Sequence, residues 1–539
     1  MTMAESSTFP GQCIPREQTL RALQGAPFDL LVIGGGINGA AIARDAALRG
    51  VRVALVEKGD FASGTSSKSS KLIHGGVRYL QQGDLRLVWV ACRERDLLRR
   101  RLAPHLVRPL PFVFPVYRGD PVGLFTLGVG MWIYDALAIF RNIRAHRMLS
   151  RKRTLQLEPM LRSQGLRGAA LYYDCWTDDA RLTLETVLGA QEEGAVVANY
   201  IELEGFIKEH GRLTGARLQD RLSTEHFSVR ARCVVNATGP WVDSVRQLDD
   251  AALRPCLRVT KGVHVVVPRQ RLGNTHAVVL HSPRDRRVLF AIPWGEHDII
   301  GTTDTDFDGS PDQVSADAAD IDYLLEAANW FFPQARLRVE DIVSTYAGLR
   351  PLVAPKDDRD PSAVSREEAI LHSTSGLITL AGGKLTTHRW VAKEIVDSVA
   401  GQLGLIPGLP GKRSSTAHKP LPGGQIRPHD QLVAELLAGD GSGLSREQIE
   451  HLVRRYGSRT PQVVELVRTQ RDLGEILVPG LPDIWAEAVY AARAEMAMEA
   501  EDVLMRRTKV GLKEPHEAAQ VVDSVKKTMT RLGASRRSN

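Results

Sequence analysis

Cysteine is scarce: Cys13, Cys92, Cys175, Cys233 and Cys256 are five residues in 539, and no two stand at CxxC spacing. That argues against a cysteine-built zinc or iron–sulfur centre and predicts an intracellular chain without disulfides. No uninterrupted apolar run reaches the roughly 20 residues that cross a bilayer. The nearest candidate, residues 122–140 (VGLFTLGVGMWIYDALAIF), carries Gly128, Gly130 and Asp135. A carboxylate in hydrocarbon is costly, so a core helix is expected, or an apolar surface dipping into a membrane interface, rather than a span. The N-terminus has no apolar h-region and contains Glu5 and Glu17, so residues 1–27 read as a loose or helical extension and not as a secretory signal; the same acids disfavour a transit peptide. Charge bias is also weak: 70 Lys and Arg against 63 Asp and Glu give a net +7 and a pI near 9.1. This calls for no nucleic acid, although it allows attraction to anionic lipid or an anionic substrate. Asp304, Asp306 and Asp308 lack the later glutamate of an EF-hand loop, so no metal site is expected.

Glycine, by contrast, is plentiful, with 47 residues, and its placement is informative. Residues 28–59 read FDLLVIGGGINGAAIARDAALRGVRVALVEKG, which parses as strand, glycine turn, helix, strand and acid. Gly34, Gly36 and Gly39 form G-x-G-x-x-G, giving a tight turn, a close approach to a pyrophosphate and close helix–sheet packing. The helix over 38–49 aims unpaired N–H groups at the ligand, and Glu57 ends the second strand where it can accept from an adenosine ribose. A chain this long is expected to divide into two or three domains.

FAD and NAD both use this unit, and the next stretch separates them. Residues 64–80 read GTSSKSSKLIHGGVRYL, which resembles the FAD-dependent glycerol-3-phosphate dehydrogenases, typically SSKLIHGG-x-RYL. The resemblance continues through NATG at 236–239, KGVHVVVP at 261–268, YAGLRPL at 346–352, AGGKLTTHR at 381–389 and EMA…DVLMRRT at 495–508. It covers roughly residues 29–513. It implies an α/β fold: a two-dinucleotide-binding (glutathione-reductase-like) FAD domain with an α+β substrate domain and a helical C-terminal domain. The expected division is an extension at 1–27; FAD-domain parts at 28–104, 168–252 and 346–407; substrate-domain parts at 105–167 (membrane-proximal) and 253–345; a linker at 408–424; C-terminal helices at 425–515; and a basic tail at 516–539. Asp178 and Asp179 are expected to cap the helix that starts near Arg181, and Ser445 with Gln448 to open another.

The family likeness also assigns roles. Gly34, Gly36, Gly39, Glu57, Thr65, Ser66, Ser67, His74, Gly75, Gly239, Gly382, Gly383, Lys384 and Leu385 are expected around a non-covalent FAD. Arg78, Tyr79, His264, Arg350, Arg366 and Lys384 are expected around glycerol 3-phosphate, with His264, Arg350 and Lys384 acting in catalysis. Arginine can grip phosphate oxygens with two N–H groups, and a histidine near its ordinary pKa suits a general base. The implied reaction removes the C2 hydroxyl proton, transfers the C2 hydride to flavin N5 and releases dihydroxyacetone phosphate. Electrons then pass to a membrane quinone, or to oxygen with peroxide release in oxidase relatives; a flavin-containing scaffold without turnover is the third reading. Cytoplasmic placement at the inner face of the cell membrane is implied. The +7 charge and the basic tail allow contact with an anionic membrane surface, and oligomeric state is left open, a homodimer included.

Overall fold

The computed structural model describes residues 13–77, 84–138, 142–354, 368–404, 413–425, 428–439 and 442–533. Its first sheet is built on the strand Phe28–Ile33, where Leu30, Leu31 and Val32 are fully buried. Val53–Val56 pairs parallel on one side and His226–Asn236 on the other, and Val196–Ala198 and Leu377–Ala381 extend the parallel set. Helices Ile37–Leu48, Asp179–Glu192 and His388–Gln402 cover one face, joining Leu30, Val32 and Leu55 to Ala40, Val187 and Val391. On the reverse face, Leu31, Ile33 and Ala54 pack against Phe206 and Leu218 of the hairpin Ile201–Glu209/Arg212–Asp220. Burial on both faces is why residues 30–33 and the strand Val53–Val56 are apolar throughout.

A second sheet has ten strands among the described residues. Leu257–Pro268 runs antiparallel to Ser344–Val353, with His264 opposite Tyr346, Gly262 opposite Gly348 and Thr260 opposite Arg350. Strand side chains alternate, so these even-numbered residues share one face. Val263, Val265 and Val267 point the other way, into a core with Leu324, Ala328 and Phe331 of helix Ala318–Phe331. Lys261 lies on that side too and pairs with Asp317 and Asp320, each at 2.6 Å. Gly262 is mid-strand in Leu257–Pro268. Leu166–Trp176 and Ser344–Val353 join this second sheet, although the expected boundaries at 168 and 346 place most of each in the nucleotide domain. Apolar patterning marks a strand; it does not say which sheet the strand joins.

The apolar segment forms the helix Leu124–Leu137, with Gly128 and Gly130 inside it. It is two-faced. Leu127, Met131 and Tyr134 are buried, whereas Phe125 is 85% and Trp132 62% exposed, with Val129 and Ile133 also exposed. Asp135 is buried and tied to Asn142 Nδ2 at 2.5 Å and His146 Nδ1 at 2.8 Å. The core reading holds for one face only. No helix among the described residues is long and apolar enough to cross a membrane.

Ser445 caps a C-terminal helix, and of the two candidate aspartates Asp178 caps the helix Asp179–Glu192 on the first sheet. Ser445 Oγ accepts from Gln448 N at 3.2 Å while Gln448 Oε1 accepts from Ser445 N at 2.8 Å, and Asp178 Oδ1 accepts from Arg181 N at 2.9 Å. The stretch expected as a tail is the helix Pro515–Thr528, with Val525 buried and Lys526 and Lys527 exposed; Arg536 and Arg537 lie outside the described residues. At the other end, the helix Arg16–Gln24 buries Leu23, and Arg16 pairs with Asp220 at 2.7 Å.

Buried ion pairs join the C-terminal helices to the first sheet. Asp60, just beyond Glu57, takes Arg506 Nε and Arg507 Nη1 at 2.5 Å each. Burial alone would raise its pKa, but the two guanidinium groups outweigh that and hold it below the ordinary carboxylate range. Removing one partner of a buried pair strands the other charge. Asp60→Ala is accordingly expected to lower unfolding free energy by about 3–5 kcal/mol, read as a drop in the denaturant midpoint; a loss below about 1 kcal/mol, the scale of an exposed pair, would refute it.

Candidate active site

Two cavities, of about 470 and 550 Å³, share Thr65, Ser69, Pro351 and residues 382–385, so they form one continuous groove between the sheets. The smaller is built on the glycine motif. Gly34 has φ +108°, and a Cβ there would stand 2.6 Å from Ala237 O; a Cβ at Gly39 would stand 1.9 Å from Gly34 O. Ser66 Oγ accepts from Ile37 N at 2.9 Å and so closes the 65–67 loop over the helix start. Glu57 is held by Gly35 N at 2.7 Å and Gly59 N at 2.9 Å, with burial pushing its carboxyl pKa up. Gly34, Gly36, Glu57, Thr65, Ser66, Gly239, Gly382, Gly383, Lys384 and Leu385 all line this cavity. Gly239, Gly382 and Gly383 have positive φ, and a Cβ on Gly383 would meet Asn38 Nδ2 at 2.6 Å.

Three expected cofactor residues lie behind the wall. Gly39 is the packing glycine, Ser67 is buried with its Oγ donating to Gly64 O at 3.4 Å, and Gly75 N donates to Tyr134 Oη and Asp174 Oδ1, both at 3.0 Å. Each acts through shape, which spacing alone does not distinguish from contact. His74 lines the larger cavity, where its backbone N donates to Thr386 Oγ1 at 3.2 Å.

The larger cavity brings together His264, Arg350 and Lys384 from three separate segments. Arg350 donates through Nη1 to Asp304 Oδ1 at 3.0 Å and through Nη2 to Thr302 Oγ1 at 2.8 Å. Gly262 is required beneath it, since a Cβ there would lie 2.4 Å from Nη2. Asp304 thus aims the guanidinium. Lys68 and Arg287 line the same cavity, and sequence reading missed both. Burial first, and then Arg506, lowers the pKa of Lys68. Arg78, Tyr79 and Arg366 lie outside the described residues.

His264 is 2% exposed, with its ring stacked on Tyr346 at 4.7 Å and 12°. Its Nε2 contacts Ser70 Oγ at 2.8 Å. Burial, then Arg350 and Lys71, depress its pKa well below the ordinary histidine value against the opposing pull of Asp179, so the ring is neutral at pH 7 and able to take a proton. Ser70 and Tyr346 were not singled out as site residues from sequence; for Tyr346 the signal is parity, since it lies directly across the strand pair from His264, and Ser70, in a loop, has no such signal.

Backbone approaches that only glycine permits, a buried acid at the end of the second strand and a groove running from there to a cation-lined cavity all fit a bound dinucleotide. Residues 29–397 match the family described as FAD dependent oxidoreductase, and residues 414–536 match the C-terminal domain of alpha-glycerophosphate oxidase. The chain is 37% identical over 522 residues to the aerobic glycerol-3-phosphate dehydrogenase of Staphylococcus haemolyticus, covering 96% of this chain and 93% of that one. The enzyme of that name from Staphylococcus aureus is 38% identical over 498 residues, 92% and 88% of the two chains. The crystal structure of the glycerol-3-phosphate dehydrogenase of Bacillus halodurans, complexed with FAD, superposes with a TM-score of 0.77 at 32% identity, covering 96% of each chain. The chain belongs to the FAD-dependent oxidoreductases and, within them, to the aerobic glycerol-3-phosphate dehydrogenase family.

Proposed function

We propose that the protein oxidises sn-glycerol 3-phosphate to dihydroxyacetone phosphate and passes the electrons to a membrane quinone. Arg350 carries the substrate reading, since its guanidinium lies at the cavity wall, aimed by Asp304 and Thr302. With Lys68, Arg287 and Lys384 on the same wall, it suits a phosphate dianion. His264, neutral and beside Ser70, is the base on which the proton lost by the C2 hydroxyl is balanced. Bound FAD supplies the acceptor for the C2 hydride. Arg350→Lys keeps the charge and loses the fork; KM for glycerol 3-phosphate is expected to rise about 10- to 100-fold, the scale of one charged hydrogen bond. Steady-state kinetics check this, and an unchanged KM would refute it.

The apolar side of the larger cavity supports the quinone reading. Leu127, Val129, Met131 and Ile133 line it, while Phe125 and Trp132 of the same helix stand exposed. A lipophilic acceptor arriving from the inner face of the cell membrane meets this helix, with the protein resting on that surface from the cytoplasmic side. An oxidase using oxygen is the second reading, favoured by the oxidase C-terminal family match. Anaerobic mixing with glycerol 3-phosphate separates the readings. Bleaching of the flavin absorbance with fast recovery only on quinone supports the first; fast recovery in air with peroxide release supports the second; no bleaching overturns the substrate assignment.

A further inference from the structure

His264 meets the cavity past a hydroxyl. One ring face lies on Tyr346, and the other lies so close to Gly301 that a Cβ there would stand 2.2 Å from Cδ2. Nδ1 is buried with no hydrogen-bond partner among the described residues, so the nitrogen left to act is Nε2, which Ser70 Oγ contacts at 2.8 Å. Ser70 is half-buried and lines the cavity.

The loop bearing Ser70 is anchored on both sides. Asp179 Oδ2 accepts from Ser69 N at 3.1 Å and Ser69 Oγ at 2.8 Å, while Asp179 Oδ1 takes Lys71 Nζ at 2.9 Å and Lys509 Nζ at 3.1 Å. Tyr346 Oη donates to Ser69 O at 3.1 Å, tying the stacked ring to the same loop. The Ser70 hydroxyl is thus placed by contacts from a helix, a strand and the C-terminal domain, which is what a group moving a proton in one fixed direction needs.

We propose that Ser70 is a further catalytic residue, a relay whose hydroxyl takes the substrate's C2 hydroxyl proton while giving its own to Nε2 of His264. This rests on the reading above. The substrate O–H, the Ser70 O–H and the C2–H bond break, new O–H and N–H bonds form at Ser70 and Nε2, and C2=O forms, with bound FAD as the group that would accept the C2 hydride. Nε2 accepts in the tautomer that carries its proton on Nδ1. The charged and titratable groups facing the resulting imidazolium are Arg350, Lys71, Asp179 and Tyr346.

The test compares wild type with Ser70→Ala, Ser70→Thr and Ser70→Val as FAD-loaded enzymes. It measures the anaerobic flavin reduction rate at saturating glycerol 3-phosphate and the dihydroxyacetone phosphate dissociation constant from the flavin spectral shift. Alanine is expected to slow reduction about 10²-fold or more and to leave product binding within about threefold, with threonine recovering most of the rate. Should the alanine variant lose flavin, threonine against isosteric valine decides, since the two differ by the hydroxyl. Reduction by alanine or valine within about threefold of wild type would overturn the relay, as would a threonine variant no faster than valine. A wild type that binds the product but is not reduced would instead overturn the substrate reading, and the relay with it.

Discussion

Replacing His264 by Gln is expected to slow flavin reduction by glycerol 3-phosphate about 10²- to 10⁴-fold, the usual contribution of a positioned base. Substrate affinity should change little. Glutamine can keep a hydrogen bond to Ser70 but cannot take a proton at working pH, and Arg350 keeps its own partners, Asp304 and Thr302. The pH dependence follows from the lowered pKa. The native ring stays neutral as pH falls through the ordinary histidine range, so the acid limb of wild-type reduction set by this group lies below about pH 6.5. Stability has the same sign: an unfolded chain takes up the proton near pH 6.5 while the native ring does not, so the contribution is present above that pH and is lost as pH falls towards the native value. Glutamine removes the dependence, and the variant's stability should decline less steeply with acid. Stopped-flow reduction and denaturation at several pH values measure both, and a variant reduced within about threefold of wild type would remove His264 from the reaction.

What could be read in advance was local. The first βαβ unit is legible because strand, glycine turn, helix and acid are consecutive, and the Ser445–Gln448 box because both halves lie within one turn. His264 and Arg350 were reachable because each sits in a recognisable motif. Parity then explains their company: His264, Gly262 and Arg350 fall on one face of the paired strands, whereas Lys261, one residue away, faces Asp317 and Asp320. What was hidden depends on distant partners. Asp60 and Arg507 are 447 residues apart in the chain yet 2.5 Å apart in space, and neither the family ending with Arg506 and Arg507 nor Lys509 just beyond it gives a local hint that this stretch anchors the loops at Asp60 and Ser69. An exposed apolar surface on the helix Leu124–Leu137 was one of the two readings, but which side it takes was hidden, because a nearly all-apolar stretch has no periodicity to say which side is covered.

Gly39→Val is expected to abolish FAD retention, giving a colourless protein on purification. The reason is steric. A Cβ at 39 would lie 1.9 Å from Gly34 O and 3.1 Å from Gly34 C, which are backbone atoms and cannot swing aside. To make room, either the helix Ile37–Leu48 lifts from the sheet or the turn at Gly34 opens. The turn cannot retreat towards Ala237, because a Cβ on Gly34 would already stand 2.6 Å from Ala237 O. Lifting the helix carries away the N–H groups at its start, including Ile37 N, which holds Ser66, and so dismantles the anion site where the pyrophosphate binds. Gly50→Ala is the control. Gly50 has φ +75°, and a Cβ there would meet nothing within 4 Å, so alanine feels only the strain of a left-handed backbone, about 1–2 kcal/mol. That variant should be less stable yet fully yellow. Flavin-to-protein absorbance ratios and FAD titration of the apoprotein give the comparison; a Gly39→Val protein that held FAD at wild-type stoichiometry would show that helix and turn can part without losing the site.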